Sequence, residues 1–204
     1  MNKRLVIIGA SGHGRVIADI AKKNGYLDIV FFDDNPELKI CGNYPVLGTS
    51  KDVNRFLDED FIVAIGKSIT REIIQNKLES MGVNIVTLIH PSAVIGENVE
   101  IGKGTVVMAG AVINPSSKIG KGCIINTCSS VDHDCEIGDF SHVSVGAHMA
   151  GTVKIGTRTW IGAGATVSNN IEIVDDCTIG AGAVVIKTIL EAGTFVGVPA
   201  RKIK

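Results

Sequence analysis

The 204 residues of the chain are enough for one large or two modest domains, each with its own buried core. With 20 Lys and Arg against 21 Asp and Glu, the formal net charge of −1 gives no global footprint for nucleic acid or an anionic membrane, so a small molecule is the expected partner. Five cysteines, an odd number with no C-x-x-C pair, argue against a disulfide framework and are expected to be reduced thiols of a cytoplasmic protein.

Lys3-Arg4 precede an apolar run, L-V-I-I-G-A, that is too short for a signal-peptide core or a membrane span. The predicted elements then follow in chain order. R-L-V-I-I-G (Arg4–Gly9) reads as a buried strand, His13–Asn24 as a helix, D-I-V-F-F (Asp28–Phe32) as a second strand and F-I-V-A-I-G (Phe61–Gly66) as a third. Ser68 is the expected N-cap of a helix with Ile69, Ile73, Ile74, Leu78 and Met81 on one face, stopped by Gly82. N-I-V-T-L-I (Asn84–Ile89) is a fourth strand, and Pro91 marks a junction. Strands alternating with helices predict a small Rossmann-like parallel α/β sheet over residues 1–90, with its binding crevice at the strand C-termini.

The first strand runs into G-A-S-G-H-G, Gly9 to Gly14, at the start of the helix. Backbone N–H groups there, with the helix dipole behind them, favour a phosphate, so Ser11, Gly12 and His13 are candidate substrate-binding residues. Asp33 and Asp34 close the second strand, where a carboxylate could accept hydrogen bonds from ribose hydroxyls or a base. Gly66 closes the third. The glycine spacing departs from the dinucleotide fingerprint, and a ligand-free strand-to-helix turn is the alternative. With acidic and glycine residues also at neighbouring strand ends, a nucleotide-containing ligand is the better reading.

From Ile95 onward an aliphatic residue or Met recurs every six residues through Val185, without insertion. Two residues before each beat the side chain is mostly small, and Gly often follows the beat. A period of six fits neither a 3.6-residue helix nor a simple alternating strand. It suits a chain that turns a corner after each short strand, with the aliphatics on a shared axis and Gly expected to take the corner torsions. Residues 91–188 are thus predicted to form a hexapeptide β-helix, followed by a tail over 189–204.

One stretch breaks the monotony, V-D-H-D-C, Val131 to Cys135. A positioned imidazole, with a pKa near about 6.5, can accept a proton from an attacking nucleophile. A carboxylate could orient it, provided the chain turns a corner there, because consecutive strand residues point to opposite faces.

G-A-S-G-H-G, F-F-D-D-N and V-A-I-G-K in the first half, with N-T-C-S-S-V-D-H-D-C-E-I-G-D-F-S-H-V-S-V-G and a terminal F-V-G-V-P-A-R-K in the second, form a specific combination. Over nearly its whole length the chain resembles the hexapeptide-repeat sugar acetyltransferases of the PglD and NeuD type. The resemblance implies a left-handed parallel β-helix of about five coils, three hexads each, assembled as a homotrimer. It implies a nucleotide-sugar in the first domain and acetyl-CoA along the β-helix, between subunits, with no metal. His133 would be the general base and Asp134 its partner, with Asp132 as the fallback. His142 would contact acetyl-CoA, Gly151 would offer an N–H to the tetrahedral oxyanion, and Gly162, Ala163, Gly180 and Ala181 would lie along the pantetheine arm. Val198 and Pro199 would lie near the CoA nucleotide, with Arg201, Lys202 and Lys204 available to its phosphates.

The activity implied is acetyl-CoA-dependent N-acetylation of a nucleotide-linked amino sugar, with a UDP-linked 4-amino-4,6-dideoxy sugar first and a sialic acid hydroxyl second, for bacterial surface glycans or glycoproteins. Two other classes compete. A zinc carbonic anhydrase on a trimeric β-helix would use His133, His142 and His148, but their spacing differs from that family's and the α/β domain would be idle. A catalytically silent nucleotide-sugar binder is permitted by the hexads and opposed by the D-H-D-C cluster.

Overall fold

The computed structural model describes residues 3–204, in two compact units that meet in sequence between Ile89 and His90. The first unit contains β1 (Leu5–Ile8), α1 (Gly12–Lys23), β2 (Ile29–Phe32), β3 (Ile40–Cys41), β4 (Tyr44–Gly48), β5 (Asp60–Val63), α2 (Ser68–Ser80), β6 (Asn84–Ile85) and β7 (Leu88–Ile89). Every residue of β1, β2 and β5 is buried, as in a parallel sheet covered on both faces, and all are apolar except Asp60 at the start of β5. One sheet has the strand order β3-β4-β2-β1-β5-β6, parallel except for the antiparallel β3–β4 pair. Chain order reverses around β1, whose neighbours are β2 and β5. The crevice of an open α/β sheet lies at such a switch point.

The structure departs from the sequence reading in three places here. Strands β3 and β4, around C-G-N-Y, were not foreseen; two residues on one side and a Pro on the other carry little alternation. The segment expected as one strand over Asn84–Ile89 is broken into β6 and β7. In α2 the buried residues are Arg71, Gln75 and Leu78, whereas Ile69 and Ile73 are 51% and 63% exposed, and Lys67 rather than Ser68 is the N-cap. The apolar stripe is displaced because Arg71 turns inward, where Nη1 donates to the carbonyls of Ile65 (2.8 Å) and Gly66 (2.7 Å) beyond the end of β5.

The second unit is the expected parallel β-helix, left-handed as in the proteins it matches, with two-residue strands repeating every 18 residues on three faces. The first face stacks Val94–Ile95, Val112–Ile113, Ser130–Val131, His148–Met149, Thr166–Val167 and Val184–Val185. The second stacks Glu100–Ile101 through Glu172–Ile173. The third stacks Val106–Val107, Ile124–Ile125, His142–Val143, Trp160–Ile161 and Cys177–Ile179. The beat residues from Val107 to Val185 are all buried. Burying each aliphatic side chain contributes roughly 1.5–3 kcal/mol, so the repeat is itself the core.

Small residues before the beat do more than fit. Thr105, Ser117, Ser141 and Thr159 are buried, and each hydroxyl donates to a carbonyl 15 residues on while accepting the N–H 18 residues on. Cys123, Cys135 and Cys177 occupy the same register, buried, and all five cysteines are free thiols.

The corner torsions fall elsewhere than expected. Every sixth residue from Asn98 to Gly182 has φ between 54° and 76°, and most of these are not glycine. Gly directly after a beat is needed for a different reason: a Cβ on Gly162 would lie 2.6 Å from the Ile179 carbonyl oxygen of the next coil. Beyond Ile189 the chain adds Gly193–Val196 to the third face, parallel to Cys177–Ile179, and Arg201–Lys202 returns antiparallel to it.

Candidate active site

Residues after β1, β2 and β5 converge at the switch point of the α/β unit. Ser11 is the exposed N-cap of α1, but its hydroxyl makes no capping bond. Gly9 and Gly14 serve packing, since a Cβ on Gly14 would run into the Gly9 carbonyl and the Phe31 ring. Gly66 instead faces open space, and a Cβ on Gly12 would meet only Arg15 Nη2, at 3.9 Å. Asp33 accepts the N–H of Ala10 through Oδ2 (2.8 Å) and that of Asn35 through Oδ1 (2.9 Å), tying the end of β2 to the glycine loop. Asp34 is held by Ser50, whose N–H and Oγ donate to Oδ1 and Oδ2 at 2.8 and 3.1 Å. A cavity of about 190 Å³ opens beside it, lined in part by Ile8, Val53, Ile74 and Leu78.

His13 lies in the first turn of α1 with Nε2 buried and without a hydrogen-bond partner among the described residues. Burial, and then the charge of Arg71, pull its pKa from 6.5 to about 4. The ring is therefore neutral near pH 7 and offers a hydrogen bond, not a charge.

In the β-helix, Asp134 occupies one of the positive-φ corner positions (φ 57°). The chain turns between His133 and Asp134, and two consecutive side chains that a straight strand would send to opposite faces meet instead. His133 Nδ1 lies 2.8 Å from Asp134 Oδ2. Asp132, the fallback partner, bonds backbone and not ring: its Oδ1 accepts the His133 N–H (2.8 Å) and Asn114 Nδ2 (2.7 Å). Those two bonds hold the Asp132 carboxyl below the usual range. The Asp134 bond first, then the Asp132 charge, raise the His133 pKa above 6.5. With Nδ1 donating to a carboxylate, Nε2 is left as the basic nitrogen.

Gly151 follows His133 by one coil. A Cβ there would stand 2.6 Å from His133 Cε1 and Nε2, so the imidazole lies across this glycine. The flanking N–H groups of Ala150 and Thr152 bond Val167 O and His133 O, whereas the Gly151 N–H finds no acceptor among the described residues.

His142, on the third face, is stacked on Trp160 of the next coil with centroids 5.9 Å apart and planes 1° from parallel, and Asn126 Nδ2 donates to its Nε2 (3.1 Å). The N–H groups of Gly162 and Gly180 are spent on Ile179 O and Phe195 O, leaving the exposed corners at Ala163 and Ala181 as the outward positions of that pair of coils. Val198 is 74% exposed beside Pro199. Lys202 is paired with Glu191 (3.0 Å), and Arg201 donates to the Ala200 carbonyl. Ser50, Arg71, Asn114, Asn126 and Trp160 escaped the sequence reading. The last three had a signal, since Asn114 precedes Asp132 by 18 residues, Asn126 flanks the same coil, and Trp160 follows His142 by 18.

Among the described residues no three His, Cys, Asp or Glu side chains are grouped to hold a metal ion, and no helix is long and apolar enough to cross a membrane. An α/β unit with a ligand crevice, joined to a hexapeptide β-helix that presents a carboxylate-bound imidazole at a corner, defines the class of hexapeptide-repeat acyltransferases.

Comparison with known proteins narrows the class. Residues 4–78 match the family model described as the PglD N-terminal domain. The acetyltransferase domain of PglB from Neisseria gonorrhoeae FA1090, in complex with acetyl coenzyme A, is 39% identical, with a TM-score of 0.95 over 100% of both chains. PerB from Caulobacter crescentus, in complex with CoA and GDP-perosamine, is 35% identical, with a TM-score of 0.92 over 98% of this chain and 97% of that one. A UDP-N-acetylbacillosamine N-acetyltransferase of Bacillus subtilis (strain 168) is 36% identical over 112 residues, 52% of this chain and 51% of that protein, so the chain matches about half the length of this curated relative. The chain belongs to the PglD-type family of hexapeptide-repeat sugar N-acetyltransferases. That membership displaces the carbonic anhydrase alternative, which rested on a trimeric β-helix and on the clustering of His133, His142 and His148 in the sequence.

Proposed function

We propose that the protein transfers acetyl from acetyl-CoA to the amino group of a nucleotide-linked amino sugar, in the synthesis of bacterial surface glycans or glycoproteins. The observation that carries this reading is the 2.8 Å bond between His133 Nδ1 and Asp134 Oδ2, which leaves Nε2 as a base on the protein surface. His133 Nε2 takes the proton that the sugar nitrogen sheds as it attacks the thioester carbonyl, and returns one to the departing thiolate. Asp134 holds the tautomer and favours the imidazolium, the orienting role of a triad carboxylate. The Gly151 N–H is the candidate donor to the developing oxyanion. His142 with Ala163 and Ala181 would hold the acyl donor, together with Gly162, Gly180 and the Val198-Pro199 segment.

The nucleotide-sugar is assigned to the α/β crevice. Supporting this are the orphaned His13 Nε2, the open space at Gly66, and the Asp34 carboxylate beside a cavity. One relative is named a UDP-N-acetylbacillosamine N-acetyltransferase and PerB is in complex with CoA and GDP-perosamine, which supports an amino sugar carried on a nucleotide. A cytoplasmic homotrimer with acetyl-CoA between subunits completes the reading, consistent with a His133–Asp134 pair whose side chains are 58% and 56% exposed in the single chain.

The test is a screen of amino-sugar nucleotides with acetyl-CoA by thiol release, with free sialic acid as a further acceptor. A UDP-linked 4-amino-4,6-dideoxy sugar should give the highest kcat/KM. Release with sialic acid alone would move the reaction to a hydroxyl. Light scattering of the active protein should report a trimer, and an active monomer would contradict the shared acetyl-CoA site.

A further inference from the structure

Among the described residues Arg71, on α2, is the largest side chain to be fully buried, at 1% exposure. Taking a guanidinium out of water is costly unless its donors are used, so what it holds is informative. Nη1 donates to the carbonyls of Ile65 (2.8 Å) and Gly66 (2.7 Å), which belong to two successive peptide groups between β5 and α2. In a trans peptide the N–H points opposite to the C=O. The N–H groups of Gly66 and Lys67 are therefore turned away from the guanidinium, and neither finds an acceptor among the described residues. A Cβ on Gly66 would meet nothing within 4 Å, so there is room beside the loop.

β1 and β5 pair in parallel, so α1, which begins after β1, and the Gly66 loop, which follows β5, start side by side. His13 Nε2, in the first turn of α1, is buried and without a partner among the described residues. The Arg71 charge reaches that ring as well, where it adds to burial in keeping the imidazole neutral. A crevice that offers backbone N–H groups and a neutral ring suits an acceptor rich in oxygen, such as the phosphates and hydroxyls of a nucleotide-sugar. We infer that Arg71 is the positioning residue of this crevice: by holding two loop carbonyls inward, it turns the Gly66 and Lys67 N–H groups out to the oxygens of the nucleotide-linked sugar. The inference rests on the acceptor reading above and adds to it a residue that acts through the loop, not by touching the ligand. Without those two bonds the peptide groups are free to rotate, and their carbonyls would then repel the oxygens that the N–H groups attract.

The wild-type protein, isotope-labelled for amide NMR, tests this without any substitution. A UDP-linked 4-amino-4,6-dideoxy sugar should shift the amide signals of Gly66 and Lys67, and acetyl-CoA should leave them in place. Silence of both amides while calorimetry reports sugar binding overturns the inference. If calorimetry shows no binding of that sugar to the wild type, the acceptor reading has failed instead. Arg71→Met, which keeps the bulk and removes the donors, should raise KM for the nucleotide-sugar about tenfold, with kcat at saturation and KM for acetyl-CoA as in the wild type. A folded Arg71→Met with a lower thermal midpoint and an unchanged KM for the sugar would make Arg71 a packing residue and overturn the inference. Gly66→Ala puts a methyl group where the free protein has room, so it should keep the wild-type thermal midpoint and still raise KM for the sugar. An unchanged KM there overturns the inference as well. The amide titration and Gly66→Ala decide the question even if Arg71→Met does not fold.

Discussion

The two units place their polar groups by opposite rules. In the α/β unit each bond is singular: Arg71 turns in to two loop carbonyls, Asp33 catches Ala10, and Ser50 clasps Asp34, with no repeat linking one to the next. In the β-helix one bond pattern recurs every 18 residues, and hydroxyls at Thr105, Ser117, Ser141 and Thr159 perform the same double duty. The chemistry proposed for the β-helix therefore needs no special backbone. His133 and Asp134 use a corner whose torsions every neighbouring corner shares, and only the side chains differ. The α/β crevice must be assembled from three loops, each with its own anchoring.

The sharpest break in that comparison is His133→Ala, which changes one corner side chain and leaves the coil intact. kcat should fall roughly 10²–10⁴-fold, with calorimetric acetyl-CoA binding little changed. Turnover near the wild-type rate would mean that the amine loses its proton to water and that this corner is only architecture.

Next in size is Gly151→Ala. The added Cβ would meet the imidazole at 2.6 Å and force the ring off its Asp134 bond. A displacement of about 1 Å costs roughly 10²-fold in kcat, and the thermal midpoint should barely move because the collision is with an exposed side chain. A matched loss of stability would instead identify Gly151 as a packing residue.

Asp134→Asn tests the orienting bond through pH. The base acts when neutral, so kcat/KM should rise with pH through the His133 ionisation, which Asp134 and then Asp132 hold above 6.5. Losing the Asp134 charge lowers that pKa, so the variant's profile should rise at lower pH to a reduced plateau. An unmoved limb would assign the ionisation to the substrate ammonium.

The smallest effect is expected in the other unit. Asp34→Ala removes one carboxylate from the crevice and should raise KM for the nucleotide-sugar roughly tenfold, leaving KM for acetyl-CoA as it was. The reverse pattern would exchange the ligands of the two units.

The β-helix was legible because its period is short and its core is the repeat: one aliphatic per hexad points inward, so counting by six found the buried residues from Val107 to Val185. Counting by 18 would have placed Asn114 under Asp132, Gly151 over His133 and Trp160 over His142, since parallel coils stack in register. The role of glycine was misread because a collision with the next coil leaves no mark on a residue's own neighbours in sequence. The α/β unit was legible at its continuous apolar strands and at the chemistry on their ends. It was illegible at β3 and β4, whose pairing depends on contacts distant in sequence, and in α2, where a buried guanidinium outweighs two isoleucines.

By itself, then, the sequence determined the two-part architecture, the residue types at the strand ends and the presence of an imidazole between two carboxylates. The tertiary structure decided which carboxylate serves the ring, because only a positive-φ corner can bring Asp134 rather than Asp132 to Nδ1. It also decided that His13 is neutral, since burial and the Arg71 charge come from packing, and both act across distances that no local pattern encodes.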